Sequence, residues 1–370
     1  MKVGFHSPLP PAPTGVADYA AVLLTELRRF GEVQVGARRA DVHLYHIGNN
    51  PLHWRIYHQA LAQPGVAVLH DAVLHHLLLG KLGRETYIEE FVYNYGEWSR
   101  PAAAELWAGR THSASAGVYF RHPMLRRIAE RSQAVVVHNP AAARMVKEHA
   151  PQARVEQIPH LWRHPPAAIP EGERMRLRRA LGIPARSFVF GVFGYLRETK
   201  RLPAVLRAFR RVRARGIDAV LLVAGKFASL DLERSLEPEL RAEGVVRVGW
   251  TDAARFARLL AVADAGINLR YPAAGETSGV AIRLMGAGKP VILSDSEETS
   301  AFPPETCLKV LPGIAEEDEL EHDMVLLASV RQFASEMGDR AAAYIRAHHA
   351  AETAAASYWR ILCECSGGRS

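Results

Sequence analysis

The chain has 370 residues, of which 48% are hydrophobic and 23% are charged, and its formal net charge is +7. This length suits two domains of roughly 150 to 180 residues, and this composition is that of a globular protein rather than a disordered one. No apolar run approaches the roughly 18 residues that a membrane-spanning helix requires. The three cysteines are too few for a disulfide framework, and the chain opens on a strand-like KVGFH rather than a signal sequence, so we expect a cytoplasmic protein.

The positive charge leaves several kinds of partner open. A basic face can serve anionic membrane lipids, a phosphorylated substrate or nucleic acid. No nucleic-acid-binding motif accompanies the charge, and the aromatic residues are scattered. We therefore expect a solvated basic surface and no nucleic-acid partner, and we leave open peripheral binding at the inner face of the membrane. The sequence does not determine the oligomeric state.

The first half of the chain alternates predicted strands with predicted helices. Strands are predicted at 2–6, 42–47, 66–70 and 134–138. The first helix is predicted from about Asp18 to Phe30, because Leu23, Leu24, Leu27 and Phe30 recur at three- and four-residue steps.

The second half repeats this alternation more clearly. Strands are predicted at 187–194, 219–225, 245–249, 265–270 and 290–294, and helices at 203–215, 253–263, 279–287 and about 338–363. Strands that alternate with helices predict parallel βαβ units, so the fold class is α/β with two doubly wound domains. The proline-rich stretch 159–172 predicts a linker, with one domain at 1–165 and the other at 173–345.

In doubly wound sheets, ligands bind beyond the carboxyl ends of the strands, so the loops after the predicted strands are the candidate sites. The loop that follows the strand at 265–270 leads into the helix at 279–287 and contains Gly275, Glu276, Thr277, Ser278 and Gly279. Thr277 or Ser278 can cap this helix, whose first amides and positive dipole end suit a diphosphate. An ordinary helix cap beside an acidic residue gives the same pattern, so this segment alone leaves both interpretations open.

A second candidate loop, FGYLRETKRLP at 193–203, places Arg197, Lys200 and Arg201 between a strand and a helix. Where no metal is present, fixed cations must stabilise the charge of a departing nucleoside diphosphate. A lysine supplies a point charge and an arginine a bidentate fork. A solvated basic turn is the alternative, and the occurrence of two such loops in one domain favours an anion site.

Two segments of the first domain add further candidates. Gly15 lies in the segment 7–24, in the proline-rich loop (7–15) that precedes the first predicted helix, where the backbone turns sharply or approaches something closely. His70 ends a predicted strand within VLHDAVLHHLLLG (68–80) and can hydrogen-bond a sugar there, although a histidine at a strand end is more often structural. His75 and His76 are interpreted as packing or surface residues of the following helix.

Several other enzyme classes are disfavoured by missing motifs. The sequence contains no phosphate-binding P-loop and no dinucleotide-binding G-x-G-x-x-G after the first strand. It also lacks the G-x-S-x-G and H-E-x-x-H motifs of hydrolases and zinc proteases. No metal site and no cofactor are expected.

Four motifs together resemble the family-4 retaining glycosyltransferases of the GT-B class. They are SPLPPAPTGVADY, HDAVLHH, FGYLRETKR and GETSGVAIRLMGAGKPVILSD, and they span both predicted domains in the order of that family. The resemblance implies two Rossmann-like domains that face each other across a cleft, with the acceptor side in the first and the nucleotide-sugar donor in the second. It also implies that the last helix, at about 350–366, joins the first domain.

Carried over residue by residue, the resemblance assigns catalytic roles to His70, Lys200 and Glu276. Lys200 would contact the donor diphosphate, Glu276 a hydroxyl of the donor sugar and His70 the reacting sugar. The remaining donor-binding candidates are Gly15, Arg197, Thr277, Ser278, Gly279 and Arg283. The implied partners are a UDP- or GDP-linked sugar and a glycan or lipid-linked acceptor, in a pathway such as polysaccharide biosynthesis.

The sequence departs from the family pattern in three places. Arg283 stands where the family has a glutamate that holds the nucleotide ribose, Glu276 is displaced by one residue, and Tyr195 replaces an arginine. Donor identity therefore does not follow from the resemblance, and two other functions stay open. One is a non-catalytic scaffold that binds nucleotide sugars, and the other is a GT-B nucleotide-sugar epimerase.

Overall fold

In the computed structural model, which describes residues 1–163 and 169–367, the strands form two parallel six-stranded sheets. The first sheet has the order β2-β1-β3-β4-β5-β6 and the second the order β12-β11-β10-β7-β8-β9. The strands of the first sheet are β1 (Lys2–His6), β2 (Glu32–Val35), β3 (Val42–Ile47), β4 (Val66–Leu69), β5 (Ala134–Val137) and β6 (Val155–Gln157). Those of the second are β7 (Phe188–Phe193), β8 (Ala219–Ala224), β9 (Val245–Val248), β10 (Ala265–Asn268), β11 (Val291–Ser294) and β12 (Leu308–Val310).

The helices alternate with these strands along the chain. Those of the first half are α1 (Gly15–Leu27), α2 (Trp54–Ala62), α3 (His75–Leu79), α4 (Arg84–Tyr95), α5 (Arg100–Ala108), α6 (Arg126–Arg131) and α7 (Pro140–His149). The others are α8 (Glu171–Ala180), α9 (Leu202–Ala214), α10 (Leu230–Ser235), α11 (Glu237–Leu240), α12 (Ala253–Val262), α13 (Gly279–Gly286), α14 (Glu316–Ser329), α15 (Arg331–His348) and α16 (Ala351–Ser366). Among the described residues, no helix has both the length and the apolar character that crossing a membrane requires.

The chain divides into two compact units. The first unit contains Met1–Arg163, the short segment Pro272–Thr277 and the chain from His349 onward, and the second contains the rest. The predicted boundary at residue 165 and the centre of the predicted linker, 164–168, lie outside the described residues. The predicted α/β class is confirmed, because every strand pairs in parallel within its sheet.

The first helix begins earlier and ends earlier than predicted. Thr14 caps it with a side chain that accepts the N–H of Val16, so α1 runs from Gly15 to Leu27 rather than from Asp18 to Phe30. Leu23 and Leu27 are buried as predicted, whereas Phe30 lies beyond the helix and is largely exposed. Its ring stacks on Trp359 of α16 at 5.8 Å, a contact with a residue far along the chain that local periodicity does not report.

The single final helix predicted at 338–363 is wrong, because two helices, α15 and α16, meet at an extended joint. At the joint, Trp162 donates its N–H to the carbonyl of His349 at 2.6 Å, and Ala351 donates to the carbonyl of Trp162 at 3.1 Å. The second bond uses the N–H of Ala351, which therefore does not continue the hydrogen-bond pattern of the preceding helix. Helix α16 then packs in the core of the first unit, where the hydroxyls of Tyr19 and Tyr358 lie 2.9 Å apart.

Candidate functional site

The turn after β7 brings Lys200 back to the end of the strand that precedes it. A single 3-10 turn, Glu198–Lys200, ends the loop, and the ammonium of Lys200 donates to the carbonyl of Phe193 at 2.6 Å. Lys200 is only 4% exposed. The side chain of Lys200 is therefore fixed at the carboxyl end of a central strand and is not solvated at the surface.

Two glycines allow the backbone to turn here. Gly194 has a φ of +93°, in the left-handed region that favours glycine. Gly225, at the end of β8, approaches so closely that a Cβ placed on it would lie 1.8 Å from the carbonyl oxygen of Gly194. Gly225 was not among the predicted site residues. The only signal in the sequence was a glycine directly after a buried strand.

The three predicted cations of this turn have different surroundings. Arg197 is exposed, with its guanidinium 5.9 Å from the centre of the Tyr195 ring. Arg201 adopts a left-handed φ of +56° and donates two bonds of 2.9 and 3.0 Å to the buried carboxylate of Glu316. Glu316 therefore balances the charge of Arg201, and Lys200 is the cation that faces the strand end.

The first turn of α13 lies beside Lys200. The Ser278 hydroxyl caps this helix by accepting the N–H of Ala281 at 3.3 Å, and Gly279 is its first residue. A Cβ placed on Gly194 would lie 3.5 Å from Cγ2 of Val280 and 3.7 Å from Nζ of Lys200. The ammonium and the helix start are thus neighbours of one point, and their positive fields reinforce each other there.

Arg283 lies one turn further along α13, with its guanidinium 5.9 Å from the centre of the Phe256 ring on α12. The second unit therefore brings Lys200 close to the first turn of α13, with its cap Ser278 and its first residue Gly279. Arg197 lies in the same turn as Lys200, and Arg283 lies on α13. A role for Arg283 in holding the nucleotide stays a prediction.

The segment Pro272–Thr277 is held by the first unit. Asn139, the second residue after β5, donates its amide to the carbonyl of Gly275 at 2.9 Å and to the hydroxyl of Thr277 at 3.0 Å. Gly275 has a φ of +69°, and a Cβ on it would lie 2.6 Å from Cβ of Ala72. Asn139 was not predicted as a site residue, although an asparagine after a buried strand and before a proline is a common helix cap.

Backbone hydrogen bonds join the loop of Glu276 to the loop of His70. Ala72, two residues after His70, donates its N–H to the carbonyl of Ala274 at 2.8 Å. Ala274 in turn donates its N–H to the carboxylate of Glu276 at 2.7 Å. The first unit thus brings His70, Glu276 and Thr277 to one group of loops, whereas Lys200 belongs to the second unit. A single site that contains both sets stays a prediction.

Three histidines at the carboxyl ends of adjacent strands, His46, His70 and His138, form what we call the histidine row. His46 lies in β3, His70 directly follows β4 and His138 directly follows β5. Nδ1 of His46 and Nε2 of His70 are 2.9 Å apart, and the rings of His70 and His138 are 5.1 Å apart. The ring of Tyr19 stands edge-on to His70 at 4.8 Å.

The histidine row is neutral at physiological pH. Burial, followed by the neighbouring histidines, holds the pKa values of His46 and His70 well below 6.5. Burial lowers the pKa of His138 to about 4. A neutral imidazole can donate from one ring nitrogen and accept at the other, so His70 can hydrogen-bond an uncharged sugar.

Gly15 is the exposed first residue of α1, one helical turn before Tyr19. A Cβ added there would meet nothing within 4 Å. The packing of the described residues therefore does not require a glycine, and the predicted close approach of a diphosphate to Gly15 stays a prediction. His75, by contrast, is buried and lies 2.8 Å from the hydroxyl of Tyr87, as expected of a packing residue.

Metal ligands do not cluster in the part of the chain that the structure describes. No group of three or more His, Cys, Asp or Glu side chains there is arranged to hold an ion. The sequence-based expectation of metal-independent chemistry stays a prediction.

Residues 187–322 match the family model described as "Glycosyl transferases group 1". The matched segment contains the Lys200 turn and α13, and the match confirms the predicted class of protein, a glycosyltransferase enzyme. A comparison with curated protein sequences finds no match.

Solved glycosyltransferase structures share the fold over nearly the whole chain. HepE of Anabaena, solved in complex with UDP-glucose, has a TM-score of 0.71 at 14% identity, with 98% of this chain and 100% of that chain covered. Sucrose-phosphate synthase from Thermosynechococcus elongatus has a TM-score of 0.67 at 15% identity, with 98% of each chain covered. WaaG, a glycosyltransferase involved in lipopolysaccharide biosynthesis, has a TM-score of 0.59 at 12% identity, with 95% of this chain and 98% of that chain covered. These similarities confirm the predicted GT-B fold class.

Proposed function

We propose that the protein is a family-4 retaining glycosyltransferase that moves a hexose from a UDP-linked donor to a glycan or lipid-linked acceptor without a metal ion. The observation that carries this proposal is the buried ammonium of Lys200 beside the first turn of α13. The binding of UDP-glucose by HepE supports uridine as the base. A GDP-linked sugar is the alternative that the experiment below distinguishes.

The leaving group sets the main chemical demand on the site. A nucleoside diphosphate departs with two or three negative charges, and stabilising that charge in the transition state accelerates the reaction. In our proposal the ammonium of Lys200 and the amides of Ser278 and Gly279 bind the diphosphate. Arg197 can add a second cation from its exposed position. Arg201 does not contribute, because Glu316 already binds it.

The first unit would supply the contacts to the sugar. We assign to Glu276 a hydroxyl of the donor sugar, since the loop that carries it is fixed by Asn139. We also assign to His70 a contact with the reacting sugar, and to Thr277 and Gly15 contacts with the diphosphate. A neutral His70 suits an uncharged sugar ring. Burial removes the His70 ring from water, and this disfavours a positive charge on it.

Retention would follow from attack on the same face from which the diphosphate leaves. In this mechanism a leaving phosphate oxygen takes the proton of the acceptor hydroxyl. The protein therefore needs no carboxylate nucleophile, unlike a retaining glycosidase. Its contribution is the positioning of two substrates and the stabilisation of leaving-group charge. We place this activity in the cytoplasm, at the inner face of the membrane where the acceptor is lipid-linked.

Replacement of Lys200 by methionine tests the proposal, because methionine keeps much of the apolar stem and removes the charge. The wild-type protein should gain thermal stability with UDP-sugars and should release UDP from one of them, since a ligand that binds the folded state raises its stability. Lys200→Met should lower kcat by about 100- to 1000-fold, the cost of losing one transition-state charge partner. The anomeric configuration of the product, read by NMR, tests retention.

Lys309→Met, at a lysine of the edge strand β12, is the matched control and should keep wild-type turnover. Near-normal turnover by Lys200→Met would refute the role assigned to Lys200. Binding without any sugar release would favour the scaffold, and release of an epimerised sugar would favour the epimerase. Stabilisation by GDP-sugars alone would replace uridine by guanosine in the proposal.

A further inference from the structure

The hydrogen bond between His46 and His70 can run in either direction, and its direction decides what His70 offers a substrate. Nδ1 of His46 lies 2.9 Å from Nε2 of His70, and each neutral ring carries one proton. If His46 donates, the proton of His70 is on Nδ1. If His70 donates, its Nδ1 is a free base.

Two neighbouring histidines show how such rings are protonated in this part of the first unit. Nδ1 of His138 lies 2.9 Å from the carbonyl of Ile158, and Nδ1 of His53 lies 2.9 Å from the carbonyl of His46. A carbonyl only accepts, so both Nδ1 atoms carry the proton. Their Nε2 atoms are buried and have no hydrogen-bond partner among the described residues, so these are unprotonated lone pairs.

His46 presents the same choice at its own Nε2, which is also buried without a partner among the described residues. A proton on that nitrogen would be a buried N–H without an acceptor, which native structures avoid more strongly than an unused acceptor. The proton of His46 therefore lies on Nδ1, where it has a partner. His46 donates, and Nε2 of His70 accepts.

The other ring nitrogen of His70 is the one that a substrate can reach. His70 retains 8% of its exposure. Its Nδ1 has no hydrogen-bond partner among the described residues and, unlike Nε2 of His46 and of His138, it is not fully buried. The remaining exposure of His70 therefore includes Nδ1.

We propose that His46 is a positioning residue that holds His70 as the neutral Nδ1–H tautomer, so that His70 gives the substrate a hydrogen-bond donor and not a base. This inference rests on the proposed function for its catalytic meaning. An Nδ1–H recognises an oxygen lone pair, which means a sugar hydroxyl or a phosphate oxygen. Low pKa values caused by burial keep both rings neutral, so the assignment holds across the physiological range.

The tautomer also determines where the acceptor proton goes. The acceptor oxygen forms its bond to the anomeric carbon while the bond from that carbon to the phosphate oxygen breaks. His70 cannot take the hydroxyl proton at Nδ1, which is already protonated. In the proposed mechanism the proton leaves on the phosphate oxygen of the nucleoside diphosphate, so the step balances and agrees with a His70 that cannot act as a base.

Nitrogen NMR of protein labelled with ¹⁵N-histidine tests the assignment directly. At pH 7.5 the spectrum of wild-type protein should show His70 with a protonated Nδ1 and an unprotonated Nε2, and the spectrum of His70→Gln identifies the signals. In His46→Leu the donor is lost, so His70 should shift toward the Nε2–H tautomer. In His46→Asn, which has the shape of leucine but can donate from its amide, the wild-type tautomer should persist.

His138→Gln is the matched control, because it removes a ring next to His70 that is not hydrogen-bonded to it, and the tautomer should stay unchanged. An Nε2–H tautomer in wild-type protein, or an unchanged tautomer in His46→Leu, would overturn the inference. A leucine variant that does not fold leaves the wild-type spectrum and the asparagine variant to decide. Should the tautomer be as stated while no nucleotide sugar is bound or cleaved, the proposed function fails and the tautomer assignment stands.

The kinetic measurement separates positioning from folding. His46→Leu should lower kcat/KM by about tenfold, the effect of one lost hydrogen bond of roughly 1.4 kcal/mol, and His46→Asn should restore most of it. Equal losses in both variants would contradict the assignment, since the two differ in the ability to donate and hardly in shape.

Discussion

The buried histidines should make the protein sensitive to acid, and His138 gives the effect a magnitude. Burial lowers its pKa from 6.5 to about 4. The difference of 2.5 corresponds to about 3 kcal/mol, since one pKa unit is worth about 1.4 kcal/mol. Its Nδ1 is already committed to Ile158, so protonation would place a new N–H on the buried Nε2, which has no acceptor among the described residues.

The sign follows from which state binds more protons. Below pH 6.5 the unfolded chain protonates this histidine while the folded chain does not, so the free energy of unfolding falls as the pH falls. The contribution is complete above pH 6.5 and is lost progressively toward pH 4. His6, with a pKa lowered to about 4, and His75, with a pKa lowered to about 3, act in the same direction.

Replacement of His138 by glutamine removes one of these groups, so its effect can be measured against the wild-type protein. Between pH 7.5 and pH 5 the wild-type protein should lose about 2 kcal/mol more stability than His138→Gln. This histidine affects stability over the 1.5 pH units from 6.5 to 5, at about 1.4 kcal/mol per unit, and the variant does not have it. Urea unfolding followed by tryptophan fluorescence measures this. Five of the six tryptophans, Trp54, Trp98, Trp107, Trp162 and Trp359, lie in the first unit.

His112→Gln, at an exposed histidine of the same unit, is the control and should run parallel to the wild-type protein. If His138→Gln also ran parallel, the reasoning would be refuted, since a buried histidine that titrates normally cannot have the surroundings described above.

Three further predictions concern the loops of the two units. Gly225→Ala should destabilise the protein by at least about 2 kcal/mol in urea unfolding and weaken nucleotide-sugar binding, because its Cβ would lie 1.8 Å from the carbonyl oxygen of Gly194. Gly216→Ala, at an open position with φ of +79°, should cost only about 1 kcal/mol, and an equal loss would contradict the argument. Asn139→Ala should cost about 2 to 4 kcal/mol, because it loses both the helix cap and the two donated bonds. Asn139→Asp keeps the cap and loses only the donated bonds, so an unfolding curve identical to that of the wild-type protein would argue against a role for those bonds. Glu316→Gln should cost about 2 to 3 kcal/mol in thermal or urea unfolding because it leaves a half-buried guanidinium without its carboxylate, and an unchanged midpoint would show that the pair adds no stability.

The sequence was sufficient to predict the fold class and most of the strands whose ends carry the candidate site. Each of the five strands predicted in the second half is present, with ends that differ by at most two residues. Buried parallel strands are continuous apolar runs, and such runs are visible locally. The short edge strands β2, β6 and β12 were missed, since three or four residues with partly exposed side chains leave too little pattern.

The structure alone decided which candidate residues share a unit. Glu276 and Ser278 are two positions apart, yet the chain passes from the first unit to the second between Thr277 and Ser278. The reason is a set of bonds from Ala72 and Asn139, which lie more than 130 residues earlier. Likewise, the sequence offered Arg201 as a candidate cation for the diphosphate. Only the position of Glu316 showed that this carboxylate pairs with the Arg201 guanidinium.

Periodicity, caps and glycines report forces between residues a few positions apart, and these determined the elements and the loops between them. The break before α16, the burial of Lys200 and the order of the histidine row depend on partners that are distant in sequence. The hydroxyls of Tyr19 and Tyr358 meet across 339 residues. Such contacts form only when the whole chain has packed, so only the tertiary structure could show which of the predicted polar residues are fixed, neutralised or available to a substrate.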